Sequence, residues 1–167
     1  MVSEKNTTVA VVMGSDSDMD VMRSCIEQLE DFGIKPTVRI ISAHRTPQIA
    51  AEFAKNAADN NIKVIIAAAG MAAHLAGALA AQTSLPIIGV PLSSGSGLGG
   101  IDALLSTVQM PPGVPVATMA VGKAGARNAA VFAVQILALS DKNLCEKLAE
   151  FKKAQEKKVI EKDSGVR

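Results

Sequence analysis

The sequence predicts an α/β fold: a parallel β-sheet with helices packed on both faces. Three observations carry that prediction. Short apolar, β-branched runs recur along the chain, each too brief for a helix. Each is followed by a polar or glycine-rich loop and then by a segment of helical periodicity. The runs are continuously apolar rather than alternating, which is the pattern of strands buried on both faces.

Residues 8–13 (TVAVVM) form the first expected strand, and Gly-Ser-Asp-Ser-Asp leads from it into a helix over 19–32. Gly33 is placed to end that helix in a left-handed conformation. Residues 37–41 read as the second strand. A helix over 46–60 follows, with Thr46 as N-cap and Pro47 at its first position. Residues 64–68 read as the third strand and the Ala-rich run 71–83 as the third helix. A fourth strand over 86–90 leads through Gly95-Ser-Gly-Leu-Gly-Gly to a helix near 101–107. A fifth strand over 116–121 is followed by Gly122-Lys-Ala-Gly, which opens a helix over 127–139. An amphipathic helix over about 141–162 presents Leu144, Leu148 and Phe151 on one face. Right-handed crossovers put every strand-to-helix loop at one edge of such a sheet, where ligands bind.

The chain of 167 residues reads as a single domain, long enough to bury a full core. Its formal net charge is only +1, and it has no Trp or Tyr to stack on bases. Nucleic acid is therefore not an expected partner. Apolar stretches are interrupted too often for a membrane span. The polar tail over 1–7 does not read as a signal peptide, so a cytoplasmic location is expected. Cys25 and Cys145 are expected to be buried free thiols rather than a disulfide. The stretches 71–81 and 129–139 are apolar nearly all round, an arrangement that predicts coverage by other subunits and hence a homo-oligomer.

Three loops at the binding edge carry chemistry. Gly14, Ser15, Asp16, Ser17 and Asp18 follow a strand and open a helix. The backbone N–H groups, hydroxyls and positive helix end suit a phosphate, and Asp18 could accept from ribose hydroxyls. Ser and Asp are equally the usual helix caps, so the motif alone supports either reading. Arg45, in the neighbouring loop Ile40-Ile-Ser-Ala-His-Arg-Thr-Pro47, tilts the balance toward phosphate because a guanidinium matches its geometry. His44 lies beside it, and an imidazole titrates near neutrality and suits proton transfer. His74, in the Gly70-to-His74 segment, admits structural and functional roles equally. Gly95 to Gly100 fits G-x-G-x-x-G, but it follows the fourth strand and no acidic residue ends the next one. It reads as a mobile glycine loop over the site and not as a dinucleotide fingerprint. Two His and two Cys at these spacings match no metal-ligand pattern. There is no P-loop and no G-x-S-x-G elbow.

These stretches, VVMGSDSD, SAHRTP, AAHL, IIGVP, VQMPPGVPVAT and GKAGARNAA, resemble in content and order the PurE family of purine biosynthesis. The resemblance spans roughly residues 8 to 155. It implies a flavodoxin-like three-layer αβα sandwich with an extra C-terminal helix, assembled as a homo-octamer in which that helix packs on neighbours. It also implies conversion of N5-carboxyaminoimidazole ribonucleotide to 4-carboxyaminoimidazole ribonucleotide without metal, biotin or ATP, through CO2 held against small apolar walls around residues 67–73. Carried over by motif, Ser15 and Arg45 bind the phosphate end and Asp18 the ribose. Gly14, Ser17, Ser42 and Gly70 assist, His44 transfers the proton, and His74 lines the site. One branch of the family carboxylates aminoimidazole ribonucleotide directly, with A-H-K-T and a Ser-Asn pair in place of A-A-H. Arg45 and Ala72-Ala73-His74-Leu75 resemble the mutase branch instead. Where the family usually has G-A-G-G-A-A-H-L-P-G, this chain reads AAAGMAAHLAG, with Met71 for a glycine and Ala76 for a proline. The loop 93–100 is also richer in glycine than the family's.

Overall fold

The structure, a computed structural model, describes residues 8–93, 95 and 98–166. The polar tail 1–7 and positions 94, 96 and 97 of the expected glycine loop lie outside them.

Five parallel strands form one sheet in the order β2-β1-β3-β4-β5: β1 (Val9–Met13), β2 (Thr37–Ile40), β3 (Val64–Gly70), β4 (Ile87–Leu92) and β5 (Ala117–Thr118). This is the flavodoxin-like arrangement, in which chain order reverses between β1 and β3. The helices are α1 (Met19–Asp31), α2 (Pro47–Asn56), α3 (Leu75–Ala80), α4 (Ile101–Val108), α5 (Lys123–Ala138) and α6 (Lys142–Ser164), with a short 3-10 turn at Asp16–Asp18.

Strand alternation feeds two cores. Val9, Val11 and Met13 of β1 join Val64, Ile66 and Ala68 of β3 under α1 and α5. Ala10, Val12, Ile65 and Ala67 face the other way, toward α2 and α3. Each fully buried Val or Ile contributes about 1.5–3 kcal/mol, and these central strands are where that burial concentrates. The edge strand β2 departs from the two-faced pattern, since Val38, Arg39 and Ile40 are exposed.

Helix α1 ends as its sequence predicts. Gly33 adopts φ +80°, its N–H donates to Glu30 O at 2.7 Å, and Ile34 N donates to Leu29 O at 2.9 Å. Lys147 Nζ of α6 donates to Phe32 O at 2.8 Å, tying the C-terminal helix to that cap. Phe32 and Phe151 meet tilted at 58° with ring centroids 5.2 Å apart, and Leu144 and Leu148 pack on the same core.

Several expectations need correction. Helix α2 stops at Asn56, and residues 57–61 form turns in which Asn61 takes φ +64°. The stretch 71–83 is not one helix. β3 runs on to Gly70, where Ala69 and Gly70 pair with Pro91 and Leu92, and the helix begins only at Leu75. Alanine suits helix by propensity, but Met71 turns the chain at φ +55° and Ala73 N and His74 N bond two residues back, which delays the helix to Leu75. The fifth strand shrinks to two residues, although Met119 N and Gly122 N still bond to Gly89 O and Pro91 O at 2.9 Å. Much of the apolar surface of 129–139 is covered within the subunit, on α5 (Lys123–Ala138). Ala126, Ala129, Ala130 and Ala133 are buried where α5 packs on α1 and α6, while Asn128 and Gln135 are exposed. The exposed apolar stripe lies on α4 instead, at Ile101, Leu105 and Val108. Both cysteines are free, but only Cys25 is buried, and burial pushes its thiol up to about 12; Cys145 sits on the outward face of α6. Among the described residues no helix is long and apolar enough to cross a membrane.

Candidate active site

Because all five strands run in parallel, the loops after β1, β2 and β3 emerge at one edge. Ile41 N donates to Met13 O at 2.8 Å and Gly14 N to Ala68 O at 3.0 Å, so the three loop origins are clamped together. They flank the point where chain order reverses, which is where open α/β sheets bind ligands.

In the first loop the polar groups are knitted to one another. Ser15 N donates to the Asp18 carboxylate at 3.1 Å, and Ser17 N donates to Ser15 Oγ at 3.4 Å, making a reciprocal capping box. Ser17 Oγ donates to Ser15 Oγ, and Ser15 Oγ donates to Asp16 Oδ1, each at 3.0 Å. The capping reading of this motif is thus realised. Asp18 is half-buried, and its pKa is raised from the ordinary 3.8. Desolvation is the main cause and nearby Asp16 adds to it, while hydrogen bonds from the Ser15 and Gly14 backbone oppose it.

The second loop is a tight turn closed by Thr46. Thr46 N and Oγ1 both donate to Ser42 O, at 2.8 and 2.9 Å, while Oγ1 accepts from Ser42 N at 3.1 Å. Arg45 N donates to Ser42 Oγ at 3.2 Å. Thr46 is the N-cap of α2 and Pro47 its first residue, as expected, but the Thr46 side chain clamps the turn and makes no cap bond to α2. The clamp lifts His44 and Arg45 onto the exposed tip. Among the described residues the Arg45 guanidinium makes no ion pair, and no hydrogen bond joins it to the serine loop.

The third loop leaves β3 at Gly70. Met71 turns the chain with φ +55° and is 58% exposed; then Ala73 N and His74 N bond back to Met71 O and Ala72 O at 2.9 and 2.8 Å. His74 meets His44: Nε2 of His44 and Nδ1 of His74 are 2.8 Å apart, with the rings edge to face. Sequence spacing gave no sign of this contact, because the residues are 30 apart and meet only through the strand order. Of the small-residue run 67–73, Ala67, Ala68 and Ala73 are buried in the core, so Ala69, Gly70, Met71 and Ala72 alone offer surface to a ligand.

The structure thus gathers Gly14, Ser15, Ser17, Asp18, Ser42, His44, Arg45, Gly70 and His74 at one edge of the sheet. Among the described residues, no group of three or more His, Cys, Asp or Glu side chains is placed to hold a metal ion. The chemistry on offer is anion binding by backbone, hydroxyl and guanidinium groups, beside an imidazole pair able to move a proton.

Known proteins share this sequence and this fold. The chain is 52% identical over 157 residues to the N5-carboxyaminoimidazole ribonucleotide mutase of Brucella melitensis, covering 94% of this chain and 96% of that protein. It is 50% identical over 153 residues to the Escherichia coli K12 protein of the same name, covering 92% and 90%. The Pyrococcus horikoshii mutase is 51% identical over 162 residues, covering 97% and 89%. The crystal structure of Treponema denticola PurE superposes with a TM-score of 0.84 at 29% identity, covering 95% of this chain and 98% of that one. The family model described as AIR carboxylase matches residues 8–158, which include all three loops, and the chain therefore belongs to that family.

Proposed function

We propose that this chain is a mutase of purine biosynthesis, converting N5-carboxyaminoimidazole ribonucleotide to 4-carboxyaminoimidazole ribonucleotide. The observation that carries the reading is the Ser42–Thr46 turn, which holds a proton carrier and a fixed cation side by side at the edge where the sheet binds ligands. Half identity to proteins named for this reaction, over nearly the whole chain, supports it.

In this reading the serine loop and Arg45 hold the substrate phosphate, and Asp18 accepts from the ribose. Binding energy from these unreactive parts positions the imidazole ring. Protonated His44 donates to the substrate nitrogen as its bond to the carboxylate breaks, releasing CO2 and leaving aminoimidazole ribonucleotide. C4 then attacks the CO2, and His44 takes the C4 proton as the ring regains aromaticity. One proton is given and one is recovered, so the isomerisation needs no other acid or base.

The stripe Ile101, Leu105 and Val108 on α4 and the exposed second half of α6 supply apolar and helical surface for neighbouring subunits. They support a homo-oligomer, which we take to be an octamer acting in the cytoplasm on a small ribonucleotide.

A second reading, direct carboxylation of aminoimidazole ribonucleotide, follows from the description of the family model itself. One ultraviolet assay separates the two. Product formation is followed without ATP or metal, from fresh N5-carboxyaminoimidazole ribonucleotide at low bicarbonate and from aminoimidazole ribonucleotide with bicarbonate. Conversion of the first establishes the mutase. Conversion of the second alone replaces it with the carboxylase. Turnover of neither leaves a phosphate-ligand binding module.

A further inference from the structure

We propose that His74 is a positioning residue for proton transfer: its Nδ1 accepts the Nε2–H of His44, so that His44 exchanges its proton with the substrate through Nδ1. The inference rests on the mutase reading and assigns a task to the second histidine of that site.

The argument is one of hydrogen counting. Facing ring nitrogens 2.8 Å apart accommodate one hydrogen, so one ring donates and the other accepts. Suppose His74 donated. Neutral His44 would then spend its Nε2 lone pair on that bond and carry its only hydrogen on Nδ1. No lone pair would remain to take a proton from substrate carbon. With His44 as donor, the Nδ1 lone pair stays available. When Nδ1 gains the proton, the ring becomes an imidazolium whose Nε2–H still points at an acceptor, and a charged donor strengthens that bond. Only this arrangement lets His44 cycle between base and acid without turning its ring. The Nε2 hydrogen stays on His44 throughout, and the transferred proton enters and leaves at Nδ1.

The fold holds the acceptor in place. His74 precedes α3 with its backbone N bonded to Ala72 O, and its neighbours Ala73 and Leu75 are both 2% exposed, anchored in the core. His44 stands on the turn clamped by Thr46. The rings stand at 76° with centroids 4.9 Å apart, so the two nitrogens meet without the rings stacking. Neither ring has another hydrogen-bond partner among the described residues to compete for these nitrogens.

The test begins with the whole, unmutated protein labelled with 15N-histidine, which has only two rings to assign. Long-range 1H–15N correlation spectra of neutral His44 are expected to show hydrogen on Nε2 and a bare Nδ1. Hydrogen on Nδ1 overturns the proposal. Kinetics then test the consequence. His74→Phe keeps a ring but no acceptor, and kcat is expected to fall about tenfold or more with KM within about threefold. His74→Asn restores an acceptor near the Nδ1 position and is expected to recover most of that loss. Wild-type kcat in His74→Phe, or an Asn variant no better than Phe, also overturns the proposal. If unmutated protein turns over neither substrate, the mutase reading falls separately. The tautomer alone then decides the pairing, hydrogen on Nε2 upholding it and hydrogen on Nδ1 refuting it.

Discussion

His44 and His74 follow strands on opposite sides of β1, yet their facing ring nitrogens lie 2.8 Å apart. The contact joins the loops that follow β2 and β3, the two neighbours of β1. It brings together the only two imidazoles in the chain, at the sheet edge where chain order reverses. A side chain that must give and recover one proton gains from being fixed there, because misplacement by a fraction of an ångström weakens proton transfer steeply.

Replacing His44 by Asn removes the proton carrier but leaves Arg45 and the serine loop in place. Turnover is expected to fall about 10²–10⁴-fold. Affinity for aminoimidazole ribonucleotide, measured by calorimetry, is expected to stay within about threefold, since the phosphate contacts dominate binding. A variant that retains near-normal turnover rules out His44 as the shuttle.

Thr46→Val keeps the shape of the side chain but deletes both of its Oγ1 hydrogen bonds to Ser42. Stability in urea is expected to drop by about 1–2 kcal/mol. Turnover should drop as well, because the turn that carries His44 and Arg45 loosens. Unchanged stability together with unchanged kcat would show that the backbone bond from Thr46 N to Ser42 O holds the turn unaided.

Much of this was legible in the sequence, for identifiable reasons. Continuous apolar runs mark buried parallel strands because no other common element buries both faces in five or six residues, and so β1 was found to within one residue and β3 and β4 to within two. Gly33 announced the end of α1 because only a left-handed position favours it there. The limits of α3 and β5 were not legible. Alanine at 67–69 fits strand and helix alike, and the choice was made by pairing with β4, a partner distant in sequence, a pairing that ends at Gly70. The site residues could be listed from their loops, but the His44–His74 contact depends on strand order, which spacing does not encode.

Met71 shows how one departure from a family pattern takes on physical meaning. The resemblance places a glycine here, and the backbone sits at φ +55°, where a side chain costs about 1 kcal/mol or slightly more. Met71→Gly is therefore expected to raise stability by about 1 kcal/mol, read as a higher urea midpoint. Because the methionine is largely exposed, little packing is lost to offset the gain. A lower midpoint would mean that the side chain is held by contacts, and that the left-handed turn carries no strain.

Asp18 sets stability against function. Burial raises its pKa from the ordinary 3.8, so the ionised carboxylate is less favourable in the folded protein than in the unfolded chain. Below 3.8 the group is protonated in both states and contributes no penalty. Between 3.8 and the raised folded value the native state binds more protons than the unfolded one, so stability falls as pH rises. Above the folded value the penalty is complete and constant. Asp18→Asn cannot ionise and keeps an oxygen to accept from Ser15 N. The variant is expected to be the more stable protein at pH 7, with its advantage shrinking as pH is lowered toward 3.8. Parallel urea titrations from pH 3.5 to 7.5 would measure that difference. Substrate affinity should move the opposite way at neutral pH, because the carboxylate is the better acceptor for ribose hydroxyls. A stability difference that is flat with pH would show that Asp18 gains from its two backbone donors as much as it loses to burial. A difference that grows on acidification would mean the carboxylate stabilises the fold when ionised.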